Sequence, residues 1–386
     1  AKHPAAKTSP GTLEALLEND AKKVLYVFDD INYASGARAA ALAQARAVSG
    51  VAEVWLYSAE PCRDAALRRE FRLLNIPDGG GLRLLSRPTR QVLRDGDVSR
   101  AGKLLRLAYA VLAHIGLESV LPKALLRRNM AAAFETFDTI FVVSEASKMR
   151  EFVSRRRHPG KIQWIHTDYA AWRELNEWTR AVTKNDAALY RRFDTIVCLN
   201  KTLREKFLAV YPQFADKTLA VPNPVFRGEI RERAKAPLTV PVDETVCNLI
   251  TVGRFEREKR YDRLLGIAAE LKKRGFAFHW YFAGSGPLFE DIRRQRDALG
   301  LSGCVTLTGY MENPCPLLAK CRALVLFSEY EGTPVTIDEA KALGVPVIAN
   351  DVGGVREMLE DGRYGDVFPS GDTSGFVRAI LSVSAR

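Results

Sequence analysis

The chain has 386 residues, a net charge of +11, 47% hydrophobic and 27% charged residues. That length reads as two domains, and the composition is that of an ordinary globular protein, which excludes a fibrous or disordered chain. No run approaches the ~18 consecutive apolar residues of a membrane-spanning helix. The opening AKHPAAKTSPGT lacks the apolar core of a secretion signal, so the expected location is the cytoplasm.

Residues 1–20 read as a flexible leader. KVLYVFDDI (23–31) is the first strand, followed by a glycine turn at SGAR (35–38) and an Ala-rich helix. EVWLYSA (53–59), DTIFVVS (138–144), KIQWIH (161–166), DTIVCLN (194–200) and KTLAVPN (217–223) are further strands. Each is apolar and β-branched, as expected of strands buried on both faces. The stretch at 236–246, with its prolines, reads as a linker between a first domain, 21–235, and a second, 247–386.

The second series begins with NLITVGR (248–254) and a helix over YDRLLGIAAELKKRG. FAFHWYFAGSG (276–286), CVTLTGY (304–310), ALVLFS (323–328) and VPVIAND (345–351) are strands. Between them lie a helix over PLFEDIRRQRDALG, opened by Pro and acids, and one over 336–344, stopped by Gly344. Alternation of strand and helix in both halves predicts an α/β protein of two Rossmann-like, doubly wound parallel sheets facing a cleft.

The positive charge is uneven. Residues 1–235 carry 39 Lys and Arg against 26 Asp and Glu, and the remainder 18 against 20. A basic first domain suggests an anionic partner, such as a membrane surface or an acidic glycan. Residues 99–128 add an apolar face with six Lys and Arg and one acid. They read either as a helix lying on a membrane or over an acceptor groove, or as an ordinary amphipathic pair against the first sheet. The Arg155-Arg156-Arg157-His158 run has no interleaved aromatics, which speaks for phosphate or membrane contact and against nucleic acid.

The six cysteines form no CxxC and have no His at ligand spacing, so they read as free thiols. Asp95-Gly96-Asp97 is a D-x-D, a metal motif in a different fold, and here reads as a turn. No metal and no cofactor is expected.

The densest signal is SEYEGTPVTIDEAKALGVPVIANDVGG (328–354), with Glu331 and Glu339 spaced as E-x7-E. GRFEREKRYDRLL (253–265), FAGSGPL (282–288), TGYMEN (308–313) and RYGDVFPSGD (363–372) accompany it in order. Together these segments resemble the retaining family-4 glycosyltransferases of the GT-B fold.

Residue chemistry stands beside the resemblance. Arg254 and Lys259 supply two cations from a strand end and the loop after it, suited to charge growing on a leaving diphosphate. Gly332, Thr333 and Pro334 lead into a helix whose N–H groups favour an anion. The resemblance implies that Glu331 contacts sugar hydroxyls and that Glu339 accepts the ribose hydroxyls. It further implies donor contacts at Gly36, Gly284, Gly286, Tyr310 and Met311, and a donor-facing histidine at His166, with Asp168 and Tyr169 as weaker candidates. Gly36 stands alone where the family commonly has two glycines. Phe289 replaces the third glycine of G-x-G-x-x-G, which counts against NAD. Asn223 precedes Pro224 where the family has glycine.

The activity so implied is metal-independent transfer of a hexose, with Glu331, His166, Arg254 and Lys259 as the catalytic group. The donor is a UDP- or GDP-sugar and the acceptor a glycan or lipid-linked sugar of cell-envelope or capsule synthesis. The site is cytoplasmic, peripheral at the inner membrane face. Two alternatives stay open: a nucleotide-sugar epimerase of the same fold, and a non-catalytic glycan- or membrane-binding module.

Overall fold

The computed structural model describes residues 13, 16–17, 22–33, 35–76, 89–96, 98–114, 117, 120–157 and 160–383. Most of the 1–20 leader, Asp97 and His158 lie outside them. The first sheet comprises β1 (Lys23–Phe28), β2 (Glu53–Ser58), β3 (Arg72–Leu73), β4 (Thr139–Val142), β5 (Gly160–Ile165), β6 (Thr195–Cys198) and β7 (Thr218–Ala220). Its spatial order is 3-2-1-4-5-6-7. The second comprises β8 (Cys247–Val252), β9 (Phe278–Ala283), β10 (Val305–Gly309), β11 (Ala323–Leu326), β12 (Val347–Asn350) and β13 (Gly365–Phe368), in the order 10-9-8-11-12-13. Every pairing is parallel.

The central strands are buried throughout: β4, β5, β11 and β12 expose no residue. A strand covered on both faces tolerates no charge unless it is partnered, which explains their Val, Ile and Phe content. Buried Lys161 in β5 meets that requirement by donating from Nζ to the Arg156 carbonyl at 3.2 Å. Helices fill the layers on either side. Gly36–Val48 starts at Ser35, whose hydroxyl accepts the Arg38 N–H at 3.1 Å, and its Ala41 and Ala45 are buried in the core of the first sheet. Val335–Leu343 ends at Gly344, which takes a left-handed φ of 73° and so stops the helix.

Strand order reverses between β1 and β4 in one sheet and between β8 and β11 in the other. In open parallel sheets a crevice forms beyond the carboxyl ends of the strands at such a reversal, and ligands bind there. The loops concerned are 29–35 after β1, 253–260 after β8 and 327–334 after β11, with His166 closing β5 beside β4.

The helix Arg227–Arg233 lies in the connection between the sheets and packs on the second domain. Its Ile230 shares a core cluster with Cys315 and Ala342, and Arg231 Nε donates to the Ala342 carbonyl at 3.1 Å. Residues 99–128 resolve into helices Arg100–His114 and Val120–Phe134. On these helices Leu104, Leu107, Val111 and Val120 are exposed, as is Leu117 between them. Among the described residues no helix is long and apolar enough to cross a membrane. The six cysteines are free thiols.

Candidate functional site

The loop after β8 is fixed before it is functional. Gly284 and Gly286, in the turn after β9, lie against it with φ of +150° and +156°. A Cβ on Gly284 would stand 1.8 Å from the Gly253 carbonyl oxygen, and one on Gly286 2.6 Å from that of Phe255. Only glycine allows this approach. Beneath the loop, Phe255 stacks on Tyr261 at 4.0 Å, and the Tyr261 hydroxyl donates to the Gly253 carbonyl at 2.9 Å. Arg260 takes a left-handed φ of 46°, unfavourable for a side-chain-bearing residue. Asp262 at 2.9 Å and Glu329 at 2.8 Å hold its guanidinium in place.

So held, the loop presents Arg254 and Lys259. Lys259 Nζ lies 2.5 Å from Glu331 Oε1, which also accepts the Ser328 hydroxyl at 2.6 Å. Ser328 is itself anchored, its N–H donating to Asn350 Oδ1 at 2.9 Å. Arg254 lies 2.5 Å from Glu256 and 3.9 Å from Glu258. Its guanidinium also donates to the Tyr33 hydroxyl of the first domain, 5.7 Å over that ring. Burial, and a hydrogen bond that the protonated Glu256 donates to Glu258, push the Glu256 carboxyl up to about 7.

The two domains meet at Gly332 and Gly354. A Cβ on Gly332 would stand 1.6 Å from the His166 carbonyl oxygen, and one on Gly354 1.9 Å from the Asn200 amide. Close by, the Glu357 carboxylate accepts the Lys201 N–H, the Thr202 N–H and the Thr202 hydroxyl at 3.2, 2.9 and 2.9 Å. A carboxylate there complements the N-terminus of helix Lys201–Val210.

His166 is buried. Its backbone N–H donates to Glu145 Oε2 at 3.1 Å, and the neighbouring Thr167 hydroxyl donates to Glu145 Oε1 at 2.5 Å. Burial lowers the imidazole pKa, against the opposing effect of Glu145, so the ring is neutral at pH 7. Its Nε2 and the Thr333 Oγ1 across the junction are both buried without a hydrogen-bond partner. Buried polar atoms of that kind call for a ligand or water.

Glu339 forms a second pole, one turn into helix Val335–Leu343. It is buried, with Arg233 Nη2 at 2.5 Å and Cys315 Sγ at 3.8 Å from its Oε1.

Several expected residues stand elsewhere. Tyr310 is exposed, and Met311 packs at the edge of the core around Leu317 and Ile337; no hydrogen bond joins either to the Lys259–Glu331 pair. Space around Gly36 is open, so that glycine is not sterically required. Asp168 caps helix Tyr169–Arg173 and pairs with Lys206 at 2.6 Å. Tyr169 is a core residue donating to Asp186 at 2.5 Å. Asn223 accepts from Gln44 at 2.8 Å. Asp95 follows helix Thr89–Arg94, its N–H donating to the Gln91 carbonyl at 3.1 Å. Among the described residues no His, Cys, Asp and Glu group is arranged to hold a metal.

Tyr33, Ser328, Arg233 and Glu145 were not foreseen. The partners of Tyr33, Arg233 and Glu145 are distant in sequence, and no local spacing signals them; Ser328 lies three residues from Glu331 within the 328–354 motif, but its hydroxyl carried no signal of its own.

Two facing parallel sheets, with cations after β8 and an acidic helix after β11, define the GT-B class of protein. The match extends over 93% of this chain and 89% of Anabaena HepE in complex with UDP-glucose, at a TM-score of 0.68 and 16% identity. Residues 247–386, the second domain, match the family described as Glycosyl transferases group 1. The chain is 34% identical over 156 residues to the alpha-D-kanosaminyltransferase of Streptomyces kanamyceticus, covering 40% of this chain and 39% of that one. It is 26% identical over 196 residues to the lipopolysaccharide core biosynthesis glycosyltransferase LpsE of Rhizobium meliloti, covering 51% and 55%. It thus spans less than two thirds of either relative.

Proposed function

We propose that the chain is a retaining glycosyltransferase that moves a hexose from a UDP- or GDP-sugar to a glycan or lipid-linked acceptor in cell-envelope or capsule polysaccharide synthesis. The observation that carries this reading is the Lys259–Glu331 pair, set where the second domain meets His166. Arg254, Lys259 and the N-terminal amides of helix Val335–Leu343 receive the diphosphate. Their charge counts most as the bond to the anomeric carbon breaks and negative charge grows on the leaving oxygen. Glu331 accepts sugar hydroxyls while Lys259 fixes its orientation. Glu339 accepts the ribose hydroxyls. Neutral His166, with its free Nε2, faces the sugar from the first domain.

Retention follows if the acceptor hydroxyl attacks from the side the diphosphate leaves. The carbon passes through an oxocarbenium-like state, and the departing phosphate oxygen takes the acceptor proton. The supporting names are those of relatives: an aminosugar transferase, a lipopolysaccharide core enzyme and a UDP-glucose complex. A peripheral position at a membrane is supported by Leu104, Leu107 and Val111, exposed on a helix that also carries Arg100, Lys103 and Arg106.

The test is a thermal-shift screen of UDP-, GDP-, ADP- and CMP-sugars, followed by transfer assays with glycan and lipid-linked acceptors. One UDP- or GDP-sugar should stabilise the fold and be consumed only with acceptor. Interconversion of the donor without acceptor would establish the epimerase instead, and no stabilisation at millimolar concentration would refute the reading.

A further inference from the structure

The connection between the sheets contributes a side chain to the donor half of the cleft. Arg233, at the end of helix Arg227–Arg233, lies with Nη2 2.5 Å from Glu339 Oε1 and 3.1 Å from Cys315 Sγ. Its own carbonyl accepts from Asn313 Nδ2 at 2.8 Å, so the backbone carrying it is tied to the segment after β10. The helix is seated below by Ile230 against Cys315 and Ala342. Arg233 is therefore delivered to Glu339 by a packed element.

Both contacts on the Glu339 carboxylate fall on Oε1. Oε2 has no protein hydrogen-bond partner among the described residues. Burial, with Glu339 beside it, pushes the Cys315 thiol up to about 11, so it remains a weak donor at neutral pH. Arg233 is thus the full positive charge at this carboxylate. A buried carboxylate with a guanidinium on one oxygen is held in one rotamer and stays a strong acceptor on the other. That is the arrangement needed to recognise a diol.

We propose that Arg233 is a positioning residue that sets Glu339 to read the ribose of the donor, making the site selective for ribonucleotides over 2′-deoxyribonucleotides. The assignment rests on the donor reading of Glu339 given above. Without Arg233, Glu339 is free to turn, and the hydroxyl contact is lost while the diphosphate contacts at Arg254 and Lys259 persist. The signature is loss of discrimination between two ligands that differ by one oxygen, and a merely structural role would weaken both ligands alike.

The experiment is calorimetric titration of the wild-type chain, R233A and R233K with UDP, GDP and ADP, and with the 2′-deoxy form of each. The wild type should prefer the ribo form of one nucleotide by roughly tenfold to a hundredfold, the range of a hydrogen bond to a charged group. R233A should bind both forms about as weakly as the wild type binds the deoxy form, and R233K should recover part of the difference. Equal weakening of both forms by R233A, or unchanged discrimination, would overturn the assignment. R233K keeps the test decisive if R233A does not fold, because unchanged discrimination in a chain with the wrong cationic geometry also overturns it. A wild type that binds none of the ribonucleotides removes the donor reading itself, and the role of Arg233 with it.

Discussion

Gly332 of the second domain presses its α-carbon against the backbone carbonyl of His166 in the first, and a Cβ there would stand 1.6 Å from the oxygen. No side-chain rotation relieves that clash, because both partners are backbone. Gly332→Ala is expected to force the domains apart at the mouth of the cleft. The two sheets have separate cores, so each should stay folded, with an overpacking cost of about 1–3 kcal/mol. Small-angle scattering should show a larger radius of gyration, and kcat/KM for transfer should fall at least about tenfold. An unchanged radius with full activity would mean that the domains do not work in this closed arrangement.

Lys259 and Glu331 are expected to behave as one unit. Both are largely buried, with side-chain exposures of 23% and 10%, so removing one partner leaves the other's charge uncompensated. A double-mutant cycle on Lys259→Ala and Glu331→Ala should give a coupling free energy of about 1–3 kcal/mol in urea unfolding. Transfer by Glu331→Ala should drop roughly a hundredfold, the scale of a lost hydrogen bond to a charged group. Additive effects on stability would show that the pair seen between them contributes nothing in solution.

The parallel alternation was legible because it depends on neighbours in sequence, whereas Lys259 and Glu331, 72 positions apart, were marked by the motifs that carry the family resemblance and not by any local pattern. Val, Ile and Phe runs mark strands buried on both faces, and the loop after β8 lies within a dozen residues of the glycine turn's partner strand. The physical reason for Gly284 and Gly286 was not legible, since their contacts at Gly253 and Phe255 lie some thirty residues earlier. β3, only two residues long, carries too little pattern to register, and β13 gave a motif without a strand signal. Arg233 pairs with a residue 106 positions away, and Tyr33 with one 221 away. Such contacts exist only once the sheets are assembled. Tyr169 misled in the opposite direction: it sits beside His166 in sequence, but helix geometry turns it into the aromatic core with Tyr190, Phe207 and Tyr211.

The pH response of stability should carry a mark of His166. Burial lowers its pKa in the fold below the ordinary value of 6.5. The unfolded chain then binds more protons than the folded one as pH drops through 6.5, and stability falls with it until the folded pKa is passed. Well above 6.5 the imidazole is neutral in both states and has no effect. Urea midpoints of the wild type should decline from pH 7 towards pH 5, and His166→Asn should decline less over that window. Parallel curves would place the proton uptake on another group.

Membrane attachment can be separated from folding because the side chains concerned are on the surface. Leu104 and Val111 are 67% and 64% exposed, so replacing both by Ser removes little packing and should leave the unfolding midpoint within about 0.5 kcal/mol of wild type. If helix Arg100–His114 lies on a bilayer, the same two side chains are buried there, each contributing about 1.5–3 kcal/mol. Co-sedimentation with vesicles of anionic phospholipid should therefore weaken at least about tenfold in L104S/V111S. Because Arg100, Lys103 and Arg106 share the helix, wild-type binding should also fall as salt rises from 50 to 500 mM, the Debye length shrinking to roughly 4 Å. Vesicles of zwitterionic lipid alone should bind weakly throughout. Equal binding of wild type and double variant would leave the exposed leucines and valine without a lipid partner, and the basic first domain would then have to be explained by an acidic acceptor.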